Sequence, residues 1–211
     1  MNIIFDLDGT LIDASERMYQ LFQDMVLQST MTKIEYWNKK RNGINHRQIL
    51  EREFPMIDFD YFQKDWMSLI ETEKYLKMDK CYSDTIKVLK KLGSYSELYL
   101  LTARQSEENL VKELEELKII QYFNQIFATT SKYSKKEMLK KIMKDYPNKF
   151  CSIDFFVSDM GKDIILGKEM GFITIAISHG FMAEEKLKKY MPNYIITELS
   201  ELINIYNMYL I

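Results

Sequence analysis

Asn2-Ile3-Ile4-Phe5-Asp6-Leu7-Asp8-Gly9-Thr10-Leu11-Ile12-Asp13 is the stretch on which the reading of this 211-residue chain turns. Asn2–Phe5 is a short apolar run of the length expected for a buried strand. It ends in two carboxylates one residue apart, followed by Gly9, which permits a sharp turn. In open α/β sheets, ligands bind outside the carboxyl ends of the strands, so Asp6 and Asp8 stand where a site is expected. The bland alternative is a strand end with solvated acids and an Asp-Gly turn. Against it, two acids beside a buried strand are costly without a cation to balance them.

Four further runs match this strand in character: Leu98–Leu101, Gln125–Ala128, Phe155–Ser158 and Ile173–Ile177. They are nearly continuous rather than alternating, which favours parallel strands covered on both faces. Helical spacing fills the gaps over Glu107–Leu117, Lys135–Lys144 and Asp163–Met170. The fold class is therefore α/β, with a doubly wound parallel sheet. Far more chain than one crossover helix needs separates the first two runs. Within it, Met18, Leu21, Phe22, Met25 and Val26, then Ile49 and Leu50, then Phe62, Trp66, Leu69 and Ile70 repeat at helical spacing with no strand-like run between. This predicts a small all-helical unit over residues 14–79, inserted after the first strand of a core made of residues 1–13 and 80–211. The apolar Leu199–Ile211 is read as a helix packed on the sheet.

Composition narrows the function. A formal net charge of −2 calls for neither nucleic acid nor an anionic membrane as partner. Cys81 and Cys151 form no disulfide framework and match no zinc spacing, so both are expected to be reduced and structural. No run approaches the ~18 apolar residues of a membrane span. An acidic residue interrupts the N-terminal apolar run early, unlike a signal peptide. A cytoplasmic protein, monomeric or homodimeric, is the expectation.

Phe5–Asp13 closely resembles motif I of the haloacid dehalogenase-like superfamily, and other segments follow in that family's order. Leu98–Leu101 with Thr102-Ala103-Arg104 looks like motif II. Lys135, opening Lys-Lys-Glu-Met-Leu, is the candidate motif III lysine, with Lys136 as runner-up. Phe155–Asp163 looks like motif IV, with Asp159 and Asp163 four apart, although Ser158 replaces the usual glycine, a change from which little consequence is expected. Lys162 within that loop is unusual.

The resemblance implies a Rossmann-like core, a small helical cap and a phosphatase using Mg²⁺. Asp6 would be the nucleophile and Asp8 the general acid and base. Asp6, Asp8 (through its carbonyl), Asp159 and Asp163 would serve the metal. Thr102 and Lys135 would complete the catalytic set, with Thr10, Ala103 and Arg104 about the phosphate. If Asp6, Asp159 and Asp163 are ionised against Mg²⁺ and Lys135, a charged Asp8 is in excess. Asp8 is then expected to be the readily protonated carboxylate. In the insert, Arg41-Asn42-Gly43-Ile44-Asn45-His46-Arg47 resembles the cap loop that family members present to substrate. Asn45, His46 and Arg47 are candidate contacts to the leaving group, unless Asn45 merely caps a helix. The expected partner is a small phosphorylated metabolite, and the overall pattern looks most like phosphoglycolate phosphatase-type enzymes. A phosphomutase similar to β-phosphoglucomutase would keep all these residues. A metal-free dehalogenase would lack an acid at Asp8. A receiver domain, or a degenerate domain that only binds phosphate, fits less well.

Overall fold

Asn2–Phe5 (β1) lies at the centre of a six-stranded parallel sheet in a computed structural model that describes residues 1–130 and 132–210. Glu97–Thr102 (β4) flanks it on one side and Phe155–Ser158 (β6) on the other. Gln125–Ala128 (β5) lies outside β4, while Ile173–Ile177 (β7) and Tyr194–Ile196 (β8) extend the sheet beyond β6. The order β5-β4-β1-β6-β7-β8 places the topological switch point at the carboxyl end of β1.

Alternation along β1 explains the continuous apolar runs. Ile3 and Phe5 face one core with helices Thr85–Gly93 (α6), Glu107–Glu116 (α7) and Glu201–Met208 (α11). Ile4 faces the opposite core with Lys135–Asp145 (α8) and Gly161–Glu169 (α9). Both faces are covered, so neither can be polar. Leu202, Ile205 and Tyr206 of α11 are buried against the sheet as expected, while Ile211 lies outside the described residues.

A third apolar cluster belongs to helices Ser15–Met25 (α1), Lys33–Arg41 (α2), His46–Glu53 (α3), Phe59–Leu69 (α4) and Glu73–Leu76 (α5). Ile12–Asp13 (β2) and Lys80–Cys81 (β3) pair antiparallel, so the chain enters and leaves this helical layer side by side. These two-residue strands and three-residue β8 are too short to produce a periodic signal, and the sequence reading missed all three. Glu184–Leu187 (α10) completes the α-helices among the described residues. No described helix is long and apolar enough to cross a membrane.

Candidate active site

Three neighbouring strands end together at the switch point. Asp6 follows β1, and its N–H extends the ladder to the Val157 carbonyl at 2.9 Å. Thr102 ends β4 and Ser158 ends β6; both are buried. Across from them, Ser134 caps α8 in a reciprocal capping box with Glu137. Helix α8 therefore starts at Lys135, whose amine reaches Asp6 Oδ1 and Asp163 Oδ2, both at 2.6 Å. Lys136 turns outward to an exposed pair with Glu169, so Lys135 is the lysine brought to Asp6.

Ser158 contributes more than the small size for which it was read. Its hydroxyl donates to Asp163 at 2.9 Å and accepts from the Met160 N–H at 3.1 Å. A glycine would leave Asp163 without that donor. Burial pushes Asp6 up to about 6, against the pull of Lys135. Burial opposes the charge on Lys135 as well, but Asp163 and Asp6 outweigh it and hold the ammonium well above its ordinary range.

Asp8, two residues further on, has a different environment. Arg104 Nε and Nη2 donate to its two oxygens at 2.8 and 2.9 Å, and Arg17 Nη2 donates to Oδ1. Burial would raise this carboxyl, but the two guanidiniums win and hold it down to about 2. The expected readily protonated Asp8 is therefore corrected. The charge sum behind that expectation omitted Arg17, which the sequence reading had not singled out, and gave Arg104 to phosphate. Arg104 is instead buried among carboxylates, reaching Asp79 at 3.3 Å and Glu113 at 3.0 Å as well as Asp8. Arg17 Nε lies 3.3 Å from Asp79 Oδ1, an ion pair without hydrogen-bond geometry. Burial pushes Asp79 up to about 9, and Glu113 upward too.

Asp159 is fully buried. It accepts from the Thr10 hydroxyl at 3.3 Å and from the Phe181 N–H, while its own N–H donates to Thr10 Oγ1 at 3.1 Å. Thr10 is thus not presented to phosphate as expected; its buried hydroxyl pins the Asp159 loop. Gly9, at φ +80°, and Gly180 both pass so close to the Asp159 carboxylate that a Cβ on either would collide with it. Burial and then Asp6 push Asp159 well above the usual carboxylate range.

Among the described residues, no three acidic, histidine or cysteine side chains converge on one metal-sized point. Lys135 bridges Asp6 and Asp163, and Asp159 faces Phe181. The donor chemistry nevertheless suits Mg²⁺: all the candidate ligands are oxygens. Asp163 and Asp8 push Asp6 upward, and Asp6 and Asp163 push Asp159 upward, which also marks a place short of positive charge.

Of the cap-loop candidates, His46 and Arg47 do not face the site. His46 is packed inside the helical layer, 2.8 Å from the Tyr36 hydroxyl and with its ring centroid 4.2 Å from that of Trp66. Arg47 is half exposed, lies over the Phe59 ring and pairs with Asp60 at 3.3 Å. Both readings as substrate contacts are corrected: the helix turns one residue into the aromatic core and the other to solvent. Asn45 is the N-cap of α3, accepting from the Gln48 N–H at 2.9 Å, although it also borders a cavity facing the core. Arg41 joins the two layers, donating to the carbonyls of Ser178 at 2.8 Å and His179 at 3.0 Å. Exposed Ala103 lines the two hollows that border Lys135 with Asp163 and Asp8 with Arg17.

Comparison with known proteins adds independent findings. The family described as haloacid dehalogenase-like hydrolase matches residues 3–177. The pyrophosphatase PpaX of Bacillus mycoides (strain KBAB4) is 24% identical over 96% of this chain and 95% of its own. A predicted phosphoglycolate phosphatase from Haemophilus somnus superposes with a TM-score of 0.74 at 15% identity, covering 97% of this chain and 96% of that one. The HAD-hydrolase YfnB from Bacillus subtilis, bound to magnesium and described as revealing interdomain movement, superposes with a TM-score of 0.68 at 18% identity over 98% of both chains.

Proposed function

This chain belongs to the haloacid dehalogenase-like hydrolase family, and from that premise we propose that it is a Mg²⁺-dependent phosphatase of small phosphorylated metabolites, with Asp6 as nucleophile. The observation that carries the reading is the meeting of Asp6 and Asp163 on one ammonium, Lys135, at the switch point of the sheet. An under-neutralised carboxylate in that position is suited to attack phosphorus. As the Asp6 oxygen bonds to phosphorus, the bond to the leaving oxygen breaks and an aspartyl phosphate forms. Water then attacks that phosphorus, the bond to Asp6 breaks, and inorganic phosphate departs.

Asp8 supplies the proton to the leaving oxygen and later takes one from water. Clamped by Arg17 and Arg104 it is ionised, the state needed to accept a proton. Acting as a donor requires at least one guanidinium to withdraw and the carboxylate then to take up a proton from solvent before the leaving oxygen departs. Arg17 lies on helix α1 of the helical layer, so a shift of that layer, acting as a cap, would loosen the clamp. We assign Asp6, Asp159 and the Asp8 carbonyl as Mg²⁺ ligands, with Asp163 beside them. Bound there, the ion would offset the charge of the transferring phosphoryl group. Thr102 and Ala103 border the phosphate position. The resemblance to a pyrophosphatase and to a magnesium-bound neighbour supports this reading.

Release of inorganic phosphate from a panel of phosphate esters and anhydrides, with Mg²⁺ or with excess chelator, tests the proposal. Wild-type turnover should need the metal, and Asp6→Asn should lose activity by at least about a thousandfold. Near-normal turnover in that variant would remove Asp6 as nucleophile.

A further inference from the structure

A cavity of about 380 Å³ opens between the end of helix α2 and the core loops after β6 and β7. Met18, Met182, Phe181 and Tyr190 give it an apolar wall. Two lysines, Lys40 and Lys162, also line it, and no carboxylate among the described residues does. Met18 and Phe181 also border the hollow beside Asp8, while Met160 and Lys162 also border the one beside Lys135 and Asp163. The cavity therefore adjoins the site on both sides. A group bonded to phosphorus at Asp6 has this space to extend into.

Lys40 is the unusual member. On the same helix α2, Lys33 pairs with Glu16 and Lys39 with Glu53. Lys40 is half-buried, with no ion pair among the described residues, and burial lowers it to about 8. Its titratable neighbour is His46, which burial and then the charge of Lys40 keep well below its ordinary range, so that ring supplies no counter-charge. A partly desolvated ammonium without an anion is costly in the free protein, and an incoming anion removes that cost.

Resting on the phosphatase reading above, we infer that this cavity is the leaving-group subsite and that Lys40, seconded by Lys162, selects phosphate esters whose leaving group ends in an anion beyond a short apolar segment. The methionines and aromatic rings take the apolar segment. The ammonium takes the terminal carboxylate or phosphate. Arg41, the neighbouring cation, cannot do so while its guanidinium is bound to the Ser178 and His179 carbonyls. Lys40 therefore determines specificity and takes no part in bond breaking.

A homologous series of ω-carboxyalkyl phosphates, matched with methyl-ended alkyl phosphates of equal length, tests this. At one chain length the wild-type enzyme should favour the carboxylate in kcat/KM by about tenfold to a hundredfold, the range for one charge-assisted contact. Lys40→Gln should erase that preference and leave the methyl-ended esters within about twofold, whereas Lys40→Arg should keep much of it. Lys162→Gln should show a smaller loss of the same kind, and it guards against a Lys40 variant that fails to fold. Absence of a preference at any length, or an equal loss on both series, overturns the inference. Failure of the phosphatase reading looks different, because no ester then releases phosphate. The corresponding phosphonates, titrated by calorimetry into wild type and Lys40→Gln, still decide the cavity. Weaker binding of only the carboxylate-ended phosphonates to the variant supports the subsite, and equal binding refutes it.

Discussion

Asp6 and Asp8 stand two residues apart at the end of one strand, yet their surroundings send them in opposite directions. Asp6 shares one ammonium with Asp163 and is pushed up to about 6. Asp8 shares two guanidiniums with Asp79 and Glu113 and is held down to about 2. Both are desolvated, so burial does not distinguish them; the number and fit of the cations do. The Asp6 side is left short of positive charge and receptive to a cation. The Asp8 side balances itself once Asp79, pushed up to about 9, carries a proton. One cluster is poised for a ligand, and the other holds two layers of the molecule together.

Removing the cation from the first cluster should have the largest effect. Lys135→Met should lower kcat/KM by about a hundredfold to a thousandfold, as for other lost charge-stabilising donors. Lys135 pulls the Asp6 pKa down, so its loss should move the acid limb of the pH–rate profile upward. An unchanged profile would show that Lys135 does not govern Asp6. In the second cluster the expected loss is of stability. Arg104→Met should cost about 3–5 kcal/mol by urea denaturation, since it strands buried carboxylates. Arg17→Met should cost somewhat less, because Asp8 keeps Arg104. A change under about 1 kcal/mol in both would mean that the cluster relaxes freely.

The pH dependence of stability separates the clusters more finely. Asp8 is depressed from 3.8 to about 2, so its contribution is present above pH 3.8 and disappears as pH falls towards 2. Asp79 is raised from 3.8 to about 9, so its contribution is full below pH 3.8 and fades as pH rises towards 9. Asp6, raised to about 6, adds a decline that ends near 6. Thermal melts of Asp79→Asn should therefore lose the decline between pH 6 and 9, while Asp6→Asn should lose only the lower part. Identical slopes in wild type and Asp79→Asn would place the proton elsewhere. The smallest effect is expected at Arg47→Ala. Its partners are exposed, so stability should change by no more than about 1 kcal/mol. Activity should stay within about twofold on every substrate, and a selective loss would return Arg47 to the site.

Much of the site was legible because its parts are local in sequence. Asp6, Thr102 and Ser158 end apolar runs, and parallel strands bring such ends together. Lys135 directly follows a capping Ser134 and so begins its helix facing the strand ends. The cap loop was less legible. Asn45, His46 and Arg47 are consecutive polar residues at a helix start, and a small shift in helical phase decides which one enters the core. Tyr36 and Trp66, distant in sequence, provide the pocket that draws His46 inward.

From the sequence alone follow the parallel sheet, its switch point and the acids that stand there, because strand length, apolar covering and chain order are properties of neighbouring residues. The charge of Asp8 and the exposure of Lys40 were decided only in the folded molecule. Arg17, Asp79, Arg104 and Glu113 come from four separate segments before meeting around Asp8, and Lys40 has no ion pair among the described residues because of what surrounds it in space. Electrostatic energy depends on separation through space and on excluded water, and neither can be read from separation along the chain.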